Sequence, residues 1–280
     1  AAQRGHKITL FDSSSEIGGQ FNIAKKIPGK EEFYETIRYF SNQINKYKID
    51  LKLNSTFSPD QASDFDKVVL ASGINPRKPS IEGIDHPKVV SYIDVLTDQV
   101  EIGEKVALIG AGGIGFDVAE YLTHQGESTS LDSAAFMKEW GVDMKLEARG
   151  GIEGVKAVIS PNPRKVYLLQ RKSSKVGFGL GKTTGWVHRF SLRNKNVKMI
   201  NSVTYDKIDD KGLHYTRNEK SEILNVDHIV ICAGQVSNTS LFDSTKAINP
   251  NTILIGGAFE ASELDAKRAI NQAVRMAAKL

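Results

Sequence analysis

KVALIGAGGIGFDVAEYLTH, residues 105–124, decides the fold. KVALI is an apolar run of strand length. FDVAEYLTH reads as a helix. Between them Gly110-Ala111-Gly112-Gly113-Ile114-Gly115 spells G-x-G-x-x-G in the context that gives the motif meaning, a strand before it and a helix after it. Gly110 permits the tight turn, Gly112 lets backbone approach a pyrophosphate, and Gly115 lets the helix pack close to the strand. Gly113 and Ile114 complete the turn at the helix start, where free N–H groups and the positive dipole end hold phosphate. The reading is a dinucleotide site. The alternative is a glycine-rich turn without a ligand.

Downstream, the next strand of such a unit belongs about 20 residues on. Residues 126–164 intervene instead, with a helical stretch at 131–140 and a loop at Gly150-Gly151. The strand resumes as VYLL, residues 166–169, and runs into Gln170-Arg171-Lys172. An NAD site places an acid there for the ribose 2′-hydroxyl. Two cations favour a 2′-phosphate, hence NADP, because a guanidinium grips phosphate in bidentate fashion and an ammonium adds a point charge. The alternative is a solvated basic loop. Gly181-Lys182-Thr183 looks like the end of a triphosphate-binding loop, but Val176 stands where that motif needs glycine. A helix at 184–193, a strand at 197–201, a polar hairpin-like stretch at 203–226 and the strand HIVICA at 228–233 follow. Cys232, inside that strand, reads as a small core residue. The chain closes with a strand at 252–255, Gly256-Gly257-Ala258, and a helix at 263–279.

Upstream, residues 1–4 read as the last turn of a helix, Gly5 as its stop, KITLF at 7–11 as a strand, and Asp12 as its terminal acid. That is the second half of a nucleotide-binding βαβ unit, whose acid bonds a ribose hydroxyl. A first strand with its own glycine fingerprint is expected just before Ala1, so the sequence reads as part of a longer chain. A solvated surface turn is the alternative. Gly18-Gly19, a helix at 30–47 with Phe33, Ile37, Phe40 and Ile44 on one face, and strands at 50–53 and 67–71 follow. The second strand leads into Ser72-Gly73 and a loop bearing Pro76, Pro79 and Pro87, read as a domain connection.

Composition narrows the classes. A net charge of +4 makes no case for nucleic acid. One cysteine excludes an internal disulfide, a thiolate metal cage and a cluster held within these residues, and fits a cytoplasmic protein. No apolar run approaches the roughly 20 residues of a membrane helix. The six histidines lack metal-ligand spacing, and no G-x-S-x-G elbow occurs. No residue set is assigned to acid–base chemistry on an organic substrate.

Longer strings carry a resemblance. RGHKITLFD (4–12), EIGGQFN (16–22), IGAGGIGFDVAEY (109–121), LLQRK (168–172), GKTTGW (181–186) and ELDAKRAI (263–270) together resemble the C-terminal part of bacterial NADPH-dependent 2,4-dienoyl-CoA reductases. The resemblance runs over essentially the whole sequence. It implies an α/β fold of two three-layer, Rossmann-like nucleotide-binding domains of the disulfide-reductase type. The FAD domain would be discontinuous (1–99 and 245–280), truncated at its N-terminus, with the NADPH domain (100–244) inserted. By similarity Asp12 holds the FAD ribose and Gly18, Gly19 and Gln20 lie along the flavin. Ala71 and Gly73 mark a chain crossing, and Gly257 and Ala258 approach the ribityl chain. The helix start at Leu264, Asp265 and Ala266 points its dipole at the flavin. Ala258 departs from the Asp common in the wider superfamily. In the family, hydride passes from NADPH to FAD, and electrons pass through a 4Fe-4S cluster to FMN, which reduces dienoyl-CoA in fatty-acid β-oxidation. FMN, the cluster and their barrel are expected only outside these residues, with the barrel as partner, and the FAD site is expected to be incomplete. Related enoate reductases and amine dehydrogenases remain alternatives.

Overall fold

The computed structural model describes residues 1–262 and 265–280. They form two compact units. One comprises residues 22–33 and 78–234, the other residues 1–21, 34–77 and 235–280.

The first unit is built on a five-stranded parallel sheet. Its strand order is Val89–Ser91, His228–Ile231, Lys105–Ile109, Lys165–Leu169, Lys198–Ile200. Parallel strands are covered on both faces, which is why they read as continuous apolar runs. Val106, Ala107, Leu108 and Ile109 are all buried. On one face Val106, Leu108, Val166, Leu168 and Val230 pack under the helices Tyr92–Leu96, Gly113–Leu122 and Gly185–Asn194. On the other, Ala107, Ile109, Leu169, Ile229 and Ile231 meet Ile208, Leu213 and Tyr215 of a three-stranded antiparallel sheet. That sheet is Thr204–Asp209, Gly212–Arg217 and Lys220–Leu224, three strands where the sequence suggested a hairpin. The stretch 126–164 contributes the helix Ser133–Trp140, capped by Asp132, and Trp140 stacks on Phe190 at 5.7 Å.

The sequence reading divided the domains at 99/100 and 244/245, whereas the units divide after Arg77 and after Gly234. Residues 78–99 group with the first unit because Val89–Ser91 is a strand of its sheet.

The second unit holds three two-stranded pairings. Thr9–Phe11 runs parallel to Asp50–Lys52, Val68–Leu70 parallel to Thr252–Leu254, and Ile74–Pro76 antiparallel to Gln235–Ser237. Phe11 meets Phe57 and Phe65 edge-on at 5.4 and 6.3 Å, beside a small core of Ala62, Val68 and Leu70. Among the described residues no strand hydrogen-bonds both Thr9–Phe11 and Val68–Leu70. In the first unit Lys105–Ile109 does that joining. No described helix is long and apolar enough to cross a membrane, and no described group of three acidic, histidine or cysteine side chains is arranged to hold a metal.

Candidate dinucleotide-binding site

Lys105–Ile109 is the central strand of this sheet, between His228–Ile231 and Lys165–Leu169, and the carboxyl ends of the strands are where open parallel sheets bind ligands. The glycines at that end are fixed by space. Gly110 has φ 113°, and a Cβ there would stand 2.4 Å from the Cys232 carbonyl oxygen. A Cβ on Gly115 would stand 1.9 Å from the Gly110 carbonyl oxygen, so helix and strand meet only because position 115 is bare. Gly112 and Gly113 face open space, with nothing within 4 Å of a Cβ.

The helix begins at Gly113, with Gly112 as its extended N-cap, three residues earlier than the sequence suggested. Backbone N–H groups of residues 111–115 donate to no acceptor among the described residues. An uncapped helix start with several free donors and an open approach is an anion site. These residues fit the pyrophosphate of a dinucleotide.

The fingerprint helix is held from behind. Glu120 is buried, 3.6 Å from Lys195 Nζ, and its Oε2 accepts from Ser191 Oγ at 3.1 Å. Burial raises its carboxyl pKa above the usual range, against the lowering pull of Lys195. Lys30 Nζ donates to both Asp117 oxygens, at 2.7 and 2.6 Å. Cys232 is buried and burial pushes its thiol far up, so it stays a neutral core residue.

Arg171 and Lys172 lie just beyond the end of Lys165–Leu169, both exposed. Tyr205, on Thr204–Asp209, has a buried hydroxyl with no partner among the described residues. Burial raises its pKa and the Arg171 charge opposes the rise. Tyr205 carried no sequence signal, since it reads as an alternating strand residue.

The flavin-side positions lie in the second unit. Asp12 Oδ1 accepts from Ser14 N at 2.9 Å, closing a turn after its strand. Gly18 and Gly19 have φ 125° and 49°, and Gln20 opens the short helix Gln20–Ala24. Ala71 is exposed, and the Gly73 carbonyl accepts from Asn238 N at 3.0 Å. Gly257 and Ala258 are buried in the 3-10 turn Gly256–Ala258. Asp265 caps the helix Ala266–Ala277, accepting from Arg268 N at 2.6 Å. Leu264 lies outside the described residues. The unit thus offers a carboxylate just after a strand end, glycine turns and a capped helix start. Its described residues hold no strand–glycine–helix cradle like the one at 105–122, so their fit to FAD is partial.

The sequence profile of the pyridine nucleotide-disulphide oxidoreductases matches residues 1–255. The metal reductase of Desulforamulus reducens is 25% identical over 98% of the chain and 41% of its own length. The cinnamate reductase of Clostridium sporogenes is 27% identical over 92% of the chain and 34% of its length. Among solved structures, a 2-naphthoyl-CoA reductase superposes with a TM-score of 0.80 at 27% identity, over 100% of this chain and 37% of that one. The chain therefore spans roughly two-fifths or less of each of these relatives. The chain belongs to the pyridine nucleotide-disulphide oxidoreductase family, whose domain implies FAD and NAD(P) binding.

Proposed function

We propose that this chain is the NADPH-binding, electron-input module of a larger flavoenzyme that reduces a double bond conjugated to a carbonyl, 2,4-dienoyl-CoA being the first candidate. The observation that carries the NADPH part is the open, uncapped helix start at Gly112–Gly113 with Arg171 and Lys172 at the end of the adjacent strand. The 110–115 turn binds the pyrophosphate, and the two cations receive the 2′-phosphate. FAD, where bound, would supply the acceptor for the coenzyme's hydride. Asp12, Gly73 and the Asp265–Ala266 helix start are this chain's contribution to holding it.

The substrate part rests on the strings quoted above and on two relatives. Cinnamate is an α,β-unsaturated carboxylate and 2-naphthoyl-CoA an aryl thioester, and their reductases share this module. A barrel carrying FMN and a 4Fe-4S cluster is the proposed partner, elsewhere in the whole protein.

A second reading is favoured by the unjoined strand pairs of the second unit. On this reading residues 1–280 alone are a dinucleotide-binding module without turnover. Calorimetric titration with NADPH and NADH at low salt tests the main proposal. NADPH binding more tightly supports it, and equal affinities overturn the coenzyme assignment.

A further inference from the structure

The loop that follows Lys165–Leu169 is held by side chains that collect its carbonyls. Gln170 Nε2 donates to the carbonyl oxygens of Lys172, at 3.1 Å, and Ser174, at 2.6 Å. Asn201 Nδ2 donates to those of Ser173, at 2.8 Å, and Ser174, at 3.3 Å. Ser202 N reaches the Lys172 carbonyl at 3.1 Å, and Val203 N the Gln170 carbonyl at 3.2 Å. Ser202 adopts φ 58°, an unfavourable conformation for a residue with a Cβ.

Arg217 fixes which way the Asn201 amide points. Its Nη2 donates to Asn201 Oδ1 at 3.0 Å, so the Asn201 NH2 group has to face the loop carbonyls. Arg217 comes from the antiparallel sheet, and its buried Nε has no partner among the described residues.

The result is a one-sided loop. The carbonyls of residues 170, 172, 173 and 174 are all used. The backbone N–H groups of residues 171–177 donate to no acceptor among the described residues, and Arg171, Lys172, Ser173 and Lys175 are exposed. Successive free N–H groups beside cations form a concavity for anions.

We infer that Asn201, oriented by Arg217, together with Gln170, are positioning residues that turn this loop into the 2′-phosphate seat. Coenzyme choice then depends on residues that touch no coenzyme. The inference rests on the NADPH reading above and deepens it. Arg171 and Lys172 supply charge. Asn201 and Gln170 supply the shape that lets N–H groups and cations act on one phosphate.

The test titrates the whole chain with NADPH, NADH and adenosine 2′,5′-bisphosphate, in the wild type, Arg171→Ala, Asn201→Ala and Asn201→Asp. Asp at 201 keeps an acceptor for Arg217 and loses the donor to the loop. Both Asn201 variants are expected to lose roughly fivefold to tenfold in affinity for the two 2′-phosphorylated ligands, the worth of one or two net hydrogen bonds. Their NADH affinity should be unchanged. If Arg171→Ala loses the preference while both Asn201 variants keep it, the positioning role is overturned and the NADPH reading stands. Equal loss of NADPH and NADH in the Asn201 variants also overturns it, by showing a general structural role. No preference in the wild type removes both claims. Should Asn201→Ala fail to fold, Gln170→Leu is read in the same way.

Discussion

At Gly112 and Gly115 one sequence letter serves two physical ends. A methyl group on Gly115 meets backbone at 1.9 Å, while one on Gly112 meets nothing. Gly115→Ala should therefore destabilise the fold by about 1–3 kcal/mol, the usual cost of overpacking. Gly112→Ala should leave Tm unchanged and weaken coenzyme binding by about tenfold, the cost of one charge-assisted hydrogen bond. Thermal melts and titrations of the two variants separate these roles, and a stable Gly115→Ala contradicts the packing argument. Arg171→Ala should cost NADPH on the order of 1.5–3 kcal/mol and leave NADH untouched. The ratio of the two dissociation constants reads this directly. The glycines were legible because each answers a local requirement of the turn. Asn201 was not, because its contacts come from partners brought close only by the fold.

The elements that sequence periodicity revealed are those with one dominant environment. Residues 106–109, buried in the sheet that helices cover on one face and the antiparallel strands on the other, read as an unbroken apolar run. The helices Tyr92–Leu96 and Phe242–Ile248, of five and seven residues, are too short to show a period. For the first, only the Ser91–Asp94 capping box signals its start. The antiparallel sheet hid a turn in which Asn218 and Glu219 both have positive φ, where a glycine at the second position would have announced a hairpin. One pH dependence belongs at this scale. His188, on Gly185–Asn194, has a pKa lowered from 6.5, first by burial and then by the Lys30 charge, with Asp117 opposing. A lowered folded-state pKa means that stability is present above the unfolded value and is lost as pH falls through the folded one. Stability should decline as pH drops below 6.5, and His188→Gln should flatten that decline. Urea unfolding at stepped pH measures it. Equal slopes for both proteins would show that other groups are responsible.

Two units share one chain that crosses between them more than once. Residues 22–33 group with the first unit, where Lys30 pairs with Asp117 and Lys26 with Asp98. No local pattern in 22–33 marks that grouping. The second unit has unjoined parallel pairs and no glycine cradle among its described residues. Residues 1–280 should accordingly bind FAD weakly. A flavin fluorescence titration checks this, and tight stoichiometric binding would show that the pyrophosphate cradle is dispensable. The central claim concerns the first unit, that NADPH lies across Gly110–Gly115 with its 2′-phosphate at Arg171 and Lys172. Amide chemical-shift mapping of the isotope-labelled chain with NADPH and then NADH tests it residue by residue. The account predicts shifts at 110–115 with both coenzymes and at 171–177 with NADPH alone. Shifts at 171–177 that are identical for the two coenzymes, or none at 110–115, would contradict it.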